Sequence, residues 1–138
     1  MGIERSLVLI KPDGVERNLI GKVLEVYEKE NLVVKQIKMD KVSKEFACKH
    51  YEEHKGKDFF DSLINYITRS NLVALVLEGE DAISKVRKIN GSVNSENDSI
   101  ATIRRRFAIS KTENTVHASS SKESANREIS LWFPDINV

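Results

Sequence analysis

Along the chain the apolar residues change period in a way that separates strands from helices. Ser6-Leu7-Val8-Leu9-Ile10 is a continuous apolar run of strand length, closed by Pro12, and predicts a central strand buried on both faces. From Ile20 the apolar side chains recur at Val23, Leu24 and Tyr27, the spacing of a helix with one buried stripe. Residues 32–42 alternate around Ile37-Lys38-Met39-Asp40, which predicts a strand with one wet face. Ser43 stands where it can cap a helix over 44–54, and 58–70 predicts another. A second buried strand follows at 72–79, then a helix over 81–91 with Asp81 near its start and Gly91 at its end. A polar loop leads through 100–110 to a short strand at 114–119 and a final helix over 121–133, with Ser121 as N-cap. The order is β-α-β-α-α-β-α-loop-β-α. Strands alternating with helices in so short a chain predict a sandwich of helices over a small sheet, with the split βαβ, ferredoxin-like arrangement as the natural candidate.

Composition narrows the function more than the fold. The chain has 138 residues, enough for one domain with a proper core, and is 40% hydrophobic and 31% charged with a formal net charge of +1. That balance argues against disorder and against a polyanion as the main partner. The first apolar run is broken by Lys11 and Pro12, too short for a membrane span and without a signal-peptide layout. The single cysteine, Cys48, has no internal disulfide partner, and no Cys/His spacing suggests zinc. A soluble cytoplasmic protein is expected.

Polar residues at core positions carry the chemistry. Lys11 directly continues the first strand, so its ammonium emerges from a buried element and needs an anion. In the last helix Ala125, Ile129 and Trp132 mark the inward stripe, and at about 100° per residue Glu128 falls on it too. An inward carboxylate must find a donor. His117, at the end of the short strand among Ala118, Ser119 and Ser120, is the obvious one. By position alone His117 could be structural. Paired with Glu128 through one ring nitrogen, it keeps the other as an oriented, basic lone pair. Arg87 and Arg104 add separated cations suited to phosphate oxygens. There is no GxGxxG or GxxxxGK[ST] loop, so a phosphate site here is built from side chains.

Five segments, "LVLIKPDGVERNLIGKV", "HYEEHKGKDFF", "VRKING", "TIR" and "NTVHASSSKESANREISLWF", together resemble the nucleoside diphosphate kinase family, collinearly from about Arg5 to Phe133. The resemblance implies one such domain over residues 1–138, an α+β ferredoxin-like sandwich with a four-stranded antiparallel sheet and helices packed on it. It also implies ping-pong transfer of the γ-phosphate of a nucleoside triphosphate, typically ATP, to a nucleoside diphosphate through a phosphohistidine at His117. Carried over residue by residue, Glu128 and Ser119 orient His117, and Lys11, Tyr51 and Asn114 surround the transferring phosphate and sugar hydroxyls. Arg87 and Arg104 hold phosphates, and Phe59 and Leu63 grip the base. Mg²⁺ arrives with the nucleotide rather than on protein ligands. Homo-oligomers are implied, hexamers more often than tetramers.

The chain departs from the family pattern in places. Val93 stands where the family usually has a phosphate-contacting threonine, and Ser95 where it has a loop-stiffening proline. Arg105 and Arg106 replace a glycine and an aspartate, Glu113 an arginine, Lys111 an apolar residue near the base, and Ser120 an aspartate. Arg106 and Glu113 exchange the signs of a charge pair and would still attract if they were neighbours. These changes bear on rate and nucleotide affinity more than on the reaction. They support one alternative, a weakly active nucleotide-binding member with an interaction or regulatory role. A nucleic-acid-binding reading of "RRR" finds little support in a net charge of +1 without aromatics interleaved on a strand.

Overall fold

The computed structural model describes residues 2–91, 102–109 and 113–136. β1 (Ile3–Ile10) leads into a short helix α1 (Pro12–Glu16), then α2 (Ile20–Lys29) and β2 (Val33–Asp40). Next come α3 (Lys44–His50), a single 3₁₀ turn (Glu52–His54) and α4 (Phe60–Ile67). β3 (Leu72–Glu80), α5 (Ala82–Asn90), α6 (Ile103–Phe107), β4 (Val116–Ala118) and α7 (Lys122–Trp132) complete the chain. The four strands form one sheet in the order β2-β3-β1-β4, every neighbouring pair antiparallel. Both crossovers skip a strand, from β1 over β3 to β2 and from β3 over β1 to β4. That is the split βαβ arrangement expected from the sequence.

Alternation along the two central strands divides the core. Leu7 and Leu9 of β1 join Ala74 and Val76 of β3 and pack against α3, α4 and α7 through Ala47, Ile64, Ile129 and Trp132. Val8 and Ile10 join Leu75 and Leu77 on the other face, against Val23 and Tyr27 of α2 and Val86 of α5. The side chains of Leu72 to Leu77 are buried on both faces, which is why their sequence reads as an unbroken apolar run. No helix among the described residues is long and apolar enough to cross a membrane.

Several local features differ from the sequence expectation: β2 is exposed at Ile37 and Met39, where one dry face was expected, and the helix expected over 44–54 ends at His50. Pro12 does not simply turn the chain away from β1. It occupies the first position of α1, where its missing N–H costs nothing and its fixed φ suits a helix. The basic segment around Arg104 forms α6, with the Thr102 hydroxyl accepting from the Arg105 N–H as an N-cap. The last strand is three residues rather than six, because Thr115 has a left-handed backbone (φ 77°) that cannot extend a ladder.

Candidate active site

β4 pairs with the end of β1, and His117 lies opposite Leu9 with small neighbours Ala118 and Ser119 beside it. α7 starts at a reciprocal cap: Ser121 Oγ accepts from the Ser124 N–H and Ser124 Oγ from the Ser121 N–H. The helix then turns Ala125, Glu128, Ile129 and Trp132 inward, all buried. Glu128 Oε1 receives His117 Nε2 at 3.1 Å and the Ser119 hydroxyl at 2.8 Å. Ser119 Oγ in turn accepts the Leu7 N–H. Burial pushes the Glu128 pKa up, but the hydrogen bond and charge of His117, the Ser119 hydroxyl and Arg127 outweigh it and hold the carboxyl below its ordinary value. Glu128 is therefore a carboxylate. With the proton on Nε2 donated to it, His117 keeps its lone pair on Nδ1.

A second histidine packs edge-on against the first. The His50 ring lies 4.6 Å from that of His117, centroid to centroid and nearly perpendicular. Trp132 Nε1–H donates to His50 Nδ1 at 3.0 Å, so a neutral His50 carries its hydrogen on Nε2. Burial, then the nearby His117, Arg127, Lys11 and His54, push its pKa well down, and it is neutral. His50, His117 and Glu128 offer atoms within 4.8 Å of one another, the spacing of a metal site. Ligation through His50 Nε2 would require moving its hydrogen onto Nδ1, against the tryptophan N–H, while His117 Nε2 is already spent on Glu128. The cluster fits an oriented imidazole better than a resident metal. Tyr51 adjoins both rings, and burial and then the Glu128 charge raise its pKa, so its buried hydroxyl stays a donor.

Cations converge from the opposite wall. His117, Glu128, Arg87 and Arg104 line one cleft of about 740 Å³, together with His54 and Asn90. Arg104 is set by two carbonyls, Gly91 O and Val116 O, both 2.7 Å from its guanidinium. Its neighbours Arg105 and Arg106 are exposed, so one of the three arginines serves the cleft. Lys11 is buried and donates to Asn114 Oδ1 at 2.9 Å. Burial and then Arg104 pull its pKa down to about 7, opposed by Asp13. Phe59 is exposed at the start of α4 with its ring edge on His54, and Leu63 follows one turn later, half-buried against the core. Val93, Ser95 and Lys111 lie outside the described residues. Glu113 finds its ion pair with Arg69, which also holds Glu16, whereas the Arg106 guanidinium lies over the Phe107 ring.

His50, His54 and Asn90 escape a reading of the sequence. The His50–Trp132 bond spans 82 residues, and no local periodicity announces it. The adjacency of His50 to Tyr51 was the only available hint. Taken together, the site offers a fixed imidazole lone pair, a carboxylate behind it and separated cations before it. That arrangement suits nucleophilic attack on phosphorus with neutralisation of the phosphate oxygens.

The family model described as nucleoside diphosphate kinase matches residues 4–138. A nucleoside diphosphate kinase of Clostridium perfringens is 65% identical over 136 residues, covering 99% of this chain and 95% of the relative. One from Methanocaldococcus jannaschii is 48% identical over 135 residues, covering 98% and 96%. Among solved structures, the nucleoside diphosphate kinase of Aquifex aeolicus superposes with a TM-score of 0.93 at 38% identity, covering 96% of each chain. That of Encephalitozoon cuniculi gives 0.93 at 31% identity, covering 98% of this chain and 93% of the other.

Proposed function

The chain belongs to the nucleoside diphosphate kinase family and transfers phosphate between nucleotides, and from that premise we propose that His117 Nδ1 is the atom that carries it. The observation behind this reading is the His117 Nε2–Glu128 Oε1 hydrogen bond, which commits one ring nitrogen and leaves the other as a lone pair. Nδ1 attacks the γ-phosphorus of a nucleoside triphosphate, typically ATP; the P–N bond forms as the bond to the bridging β-oxygen breaks. The diphosphate leaves, a second diphosphate enters, and its terminal oxygen takes the phosphoryl group back. Glu128 offsets the positive charge that develops on the ring, and Ser119 keeps the carboxylate in line.

The remaining roles are those that the family resemblance implies. Arg87 and Arg104 neutralise phosphate oxygens, Lys11 and Tyr51 face the transferring group, and Asn114 receives a sugar hydroxyl. Phe59 stacks on the base and Leu63 backs it, with little base selectivity because every base offers a π-face. Mg²⁺ enters bound to the nucleotide phosphates, as part of the substrate. We read residues 1–138 as a single domain working in the cytoplasm as a homo-oligomer, a hexamer in preference to a tetramer. The alternative of a weakly active, regulatory member rests on Val93, which lacks the hydroxyl that would donate to a phosphate.

Incubation with γ-labelled ATP tests the assignment. The protein is expected to acquire an acid-labile, alkali-stable label and to pass it to added GDP. His117→Ala should form no labelled protein while still binding nucleotide. Glu128→Gln should slow labelling about tenfold to a thousandfold, because the orienting charge is lost and the nucleophile remains. Undiminished transfer by His117→Ala would end the assignment, and a slow wild type would favour the regulatory reading.

A further inference from the structure

The turn that carries Asn114 and His117 is built on a residue in the wrong conformation. Thr115 is fully buried and left-handed (φ 77°), whereas the other non-glycine residues with positive φ among the described residues are Asn18, Asn31 and Asp81. Asparagine and aspartate tolerate that region; a β-branched residue there is an outlier that its surroundings must enforce. Four bonds from the corner between β1 and α1 enforce it, the longest from Arg17 to the Thr115 hydroxyl at 3.4 Å. The Thr115 carbonyl accepts the Lys11 N–H at 2.7 Å. Its N–H donates to Asp13 Oδ1 at 3.3 Å, and its hydroxyl to Asp13 Oδ2 at 3.2 Å.

Asp13 is itself buried, 1% exposed, and its two oxygens are fully used. Besides Thr115, Oδ1 accepts from the Tyr66 hydroxyl of α4, and Oδ2 from Arg17 at 3.3 Å. Arg17 reaches on to the Phe107 carbonyl at the end of α6. The approach is so close that a Cβ on Gly14 would meet Ile10 Cγ2 at 2.9 Å and Thr115 Cγ2 at 3.2 Å. On one side of this clamp stands Lys11, whose ammonium bonds Asn114; on the other, two residues along, stands His117.

We propose that Asp13 is a positioning residue for phosphoryl transfer, whose carboxylate locks the strained turn at Thr115 and so sets the spacing between Lys11, Asn114 and the nucleophile. The inference rests on His117 being that nucleophile. An amide of the same shape cannot do the work of the carboxylate. In either orientation the NH₂ would face a donor that cannot accept, the Thr115 N–H at the Oδ1 position or Arg17 at the Oδ2 position, and one side of the clamp would open. Transfer tolerates little displacement: about 1 Å at the reacting atoms costs on the order of 100-fold.

The test is single-turnover labelling of the full-length protein by γ-labelled ATP at saturating nucleotide, with nucleotide affinity measured alongside. Asp13→Asn is expected to slow labelling about 10- to 100-fold while affinity changes less than about threefold, a loss in the chemical step rather than in binding. Thr115→Gly, which adopts φ 77° without a Cβ but has no hydroxyl for the clamp, should also slow labelling. The double variant should be no slower than the slower single one, because the two residues act as one unit. Penalties that multiply, or an Asp13→Asn loss confined to affinity, would overturn the proposal. If Asp13→Asn does not fold, Tyr66→Phe leaves the carboxylate one donor short and should slow labelling about threefold to tenfold; an unchanged rate there would equally overturn it. A wild type that takes no label at all would defeat the nucleophile assignment instead.

Discussion

Among its described contacts buried Lys11 has no carboxylate touching it; its Nζ donates to a neutral amide oxygen, Asn114 Oδ1, and lies over the Tyr66 ring. Its pKa of about 7, against 10.5 unperturbed, is the product of burial first and Arg104 second, with Asp13 pulling the other way. The sign is clear. A lysine with a lowered folded pKa is destabilising below that pKa, and stability from this group rises with pH between about 7 and 10.5. A phosphate beside it, as proposed above, would supply the missing anion and restore the proton. On the alkaline side kcat/KM should therefore fall with a limb near 7, while the limb in kcat lies higher, because bound phosphates hold Lys11 charged. Calorimetry near pH 8 in buffers of different ionisation enthalpy should show proton uptake on nucleotide binding. Coincident limbs, with no proton uptake, would refute the assignment. At this scale the sequence was informative where a polar residue broke an apolar pattern: Lys11 after four apolar residues, Glu128 on an inward stripe. It was silent on His50, whose tautomer is set by a tryptophan 82 residues away, and on Asp13, which looks like any acidic residue in a first helical turn.

Elements with a sustained period were readable, and those whose shape depends on one residue's backbone were not. β1, β3, α5 and α7 carry their period over eight to eleven residues, and they fall where the apolar pattern puts them. α1 and α6 have five residues each, too few for any period to emerge, and β4 ends at Thr115 because of a torsion angle. Local capping chemistry was readable as well. Ser43 accepts the Phe46 N–H, and Ser121 begins α7 with a reciprocal pair of bonds to Ser124. Because α7 also buries Ile129 and Trp132 fully, the cap should matter for stability and not for placing Glu128. Ser121→Ala is thus expected to cost about 1 kcal/mol, which in a domain of this size lowers Tm by about 4 °C. The labelling rate at 25 °C should stay within about twofold of wild type. Scanning calorimetry and the single-turnover rate check the two halves separately; a slowed rate with Tm unchanged would reverse the argument.

A four-stranded sheet in the order β2-β3-β1-β4 has two edges, and they are managed differently. β4 has three residues and leads directly into the Ser119–Glu128 bond of the candidate site and the Ser121 cap of α7, so it offers little backbone to another chain. β2 has eight residues and, among the described residues, pairs on one side only, with β3. Its cross-strand register puts Ile37 opposite Leu75 and Met39 opposite Val73, on the face where Leu75 and Val73 are buried under α2 and α5. Ile37 and Met39 are nevertheless 51% and 52% exposed. An edge strand of that length with apolar residues on its core face is a template for pairing, and a soluble chain that keeps one ordinarily covers it. Two side chains alone fall well short of the roughly 1,200–2,000 Å² that a stable interface buries, so such a contact would also need edge-to-edge backbone pairing. We expect β2 to be the contact between copies in the homo-oligomer proposed above. Wild-type protein should sediment as a multiple of the chain mass, and Ile37→Glu with Met39→Glu should shift it to a smaller species by placing like charges opposite one another across the contact. One chain by itself brings together the proposed nucleophile His117 with Glu128, Arg87 and Arg104, so the smaller species should still take label from ATP at lower thermal stability. A double variant that keeps the wild-type mass would move the interface elsewhere on the surface, and a wild type that is monomeric at micromolar concentration would remove it.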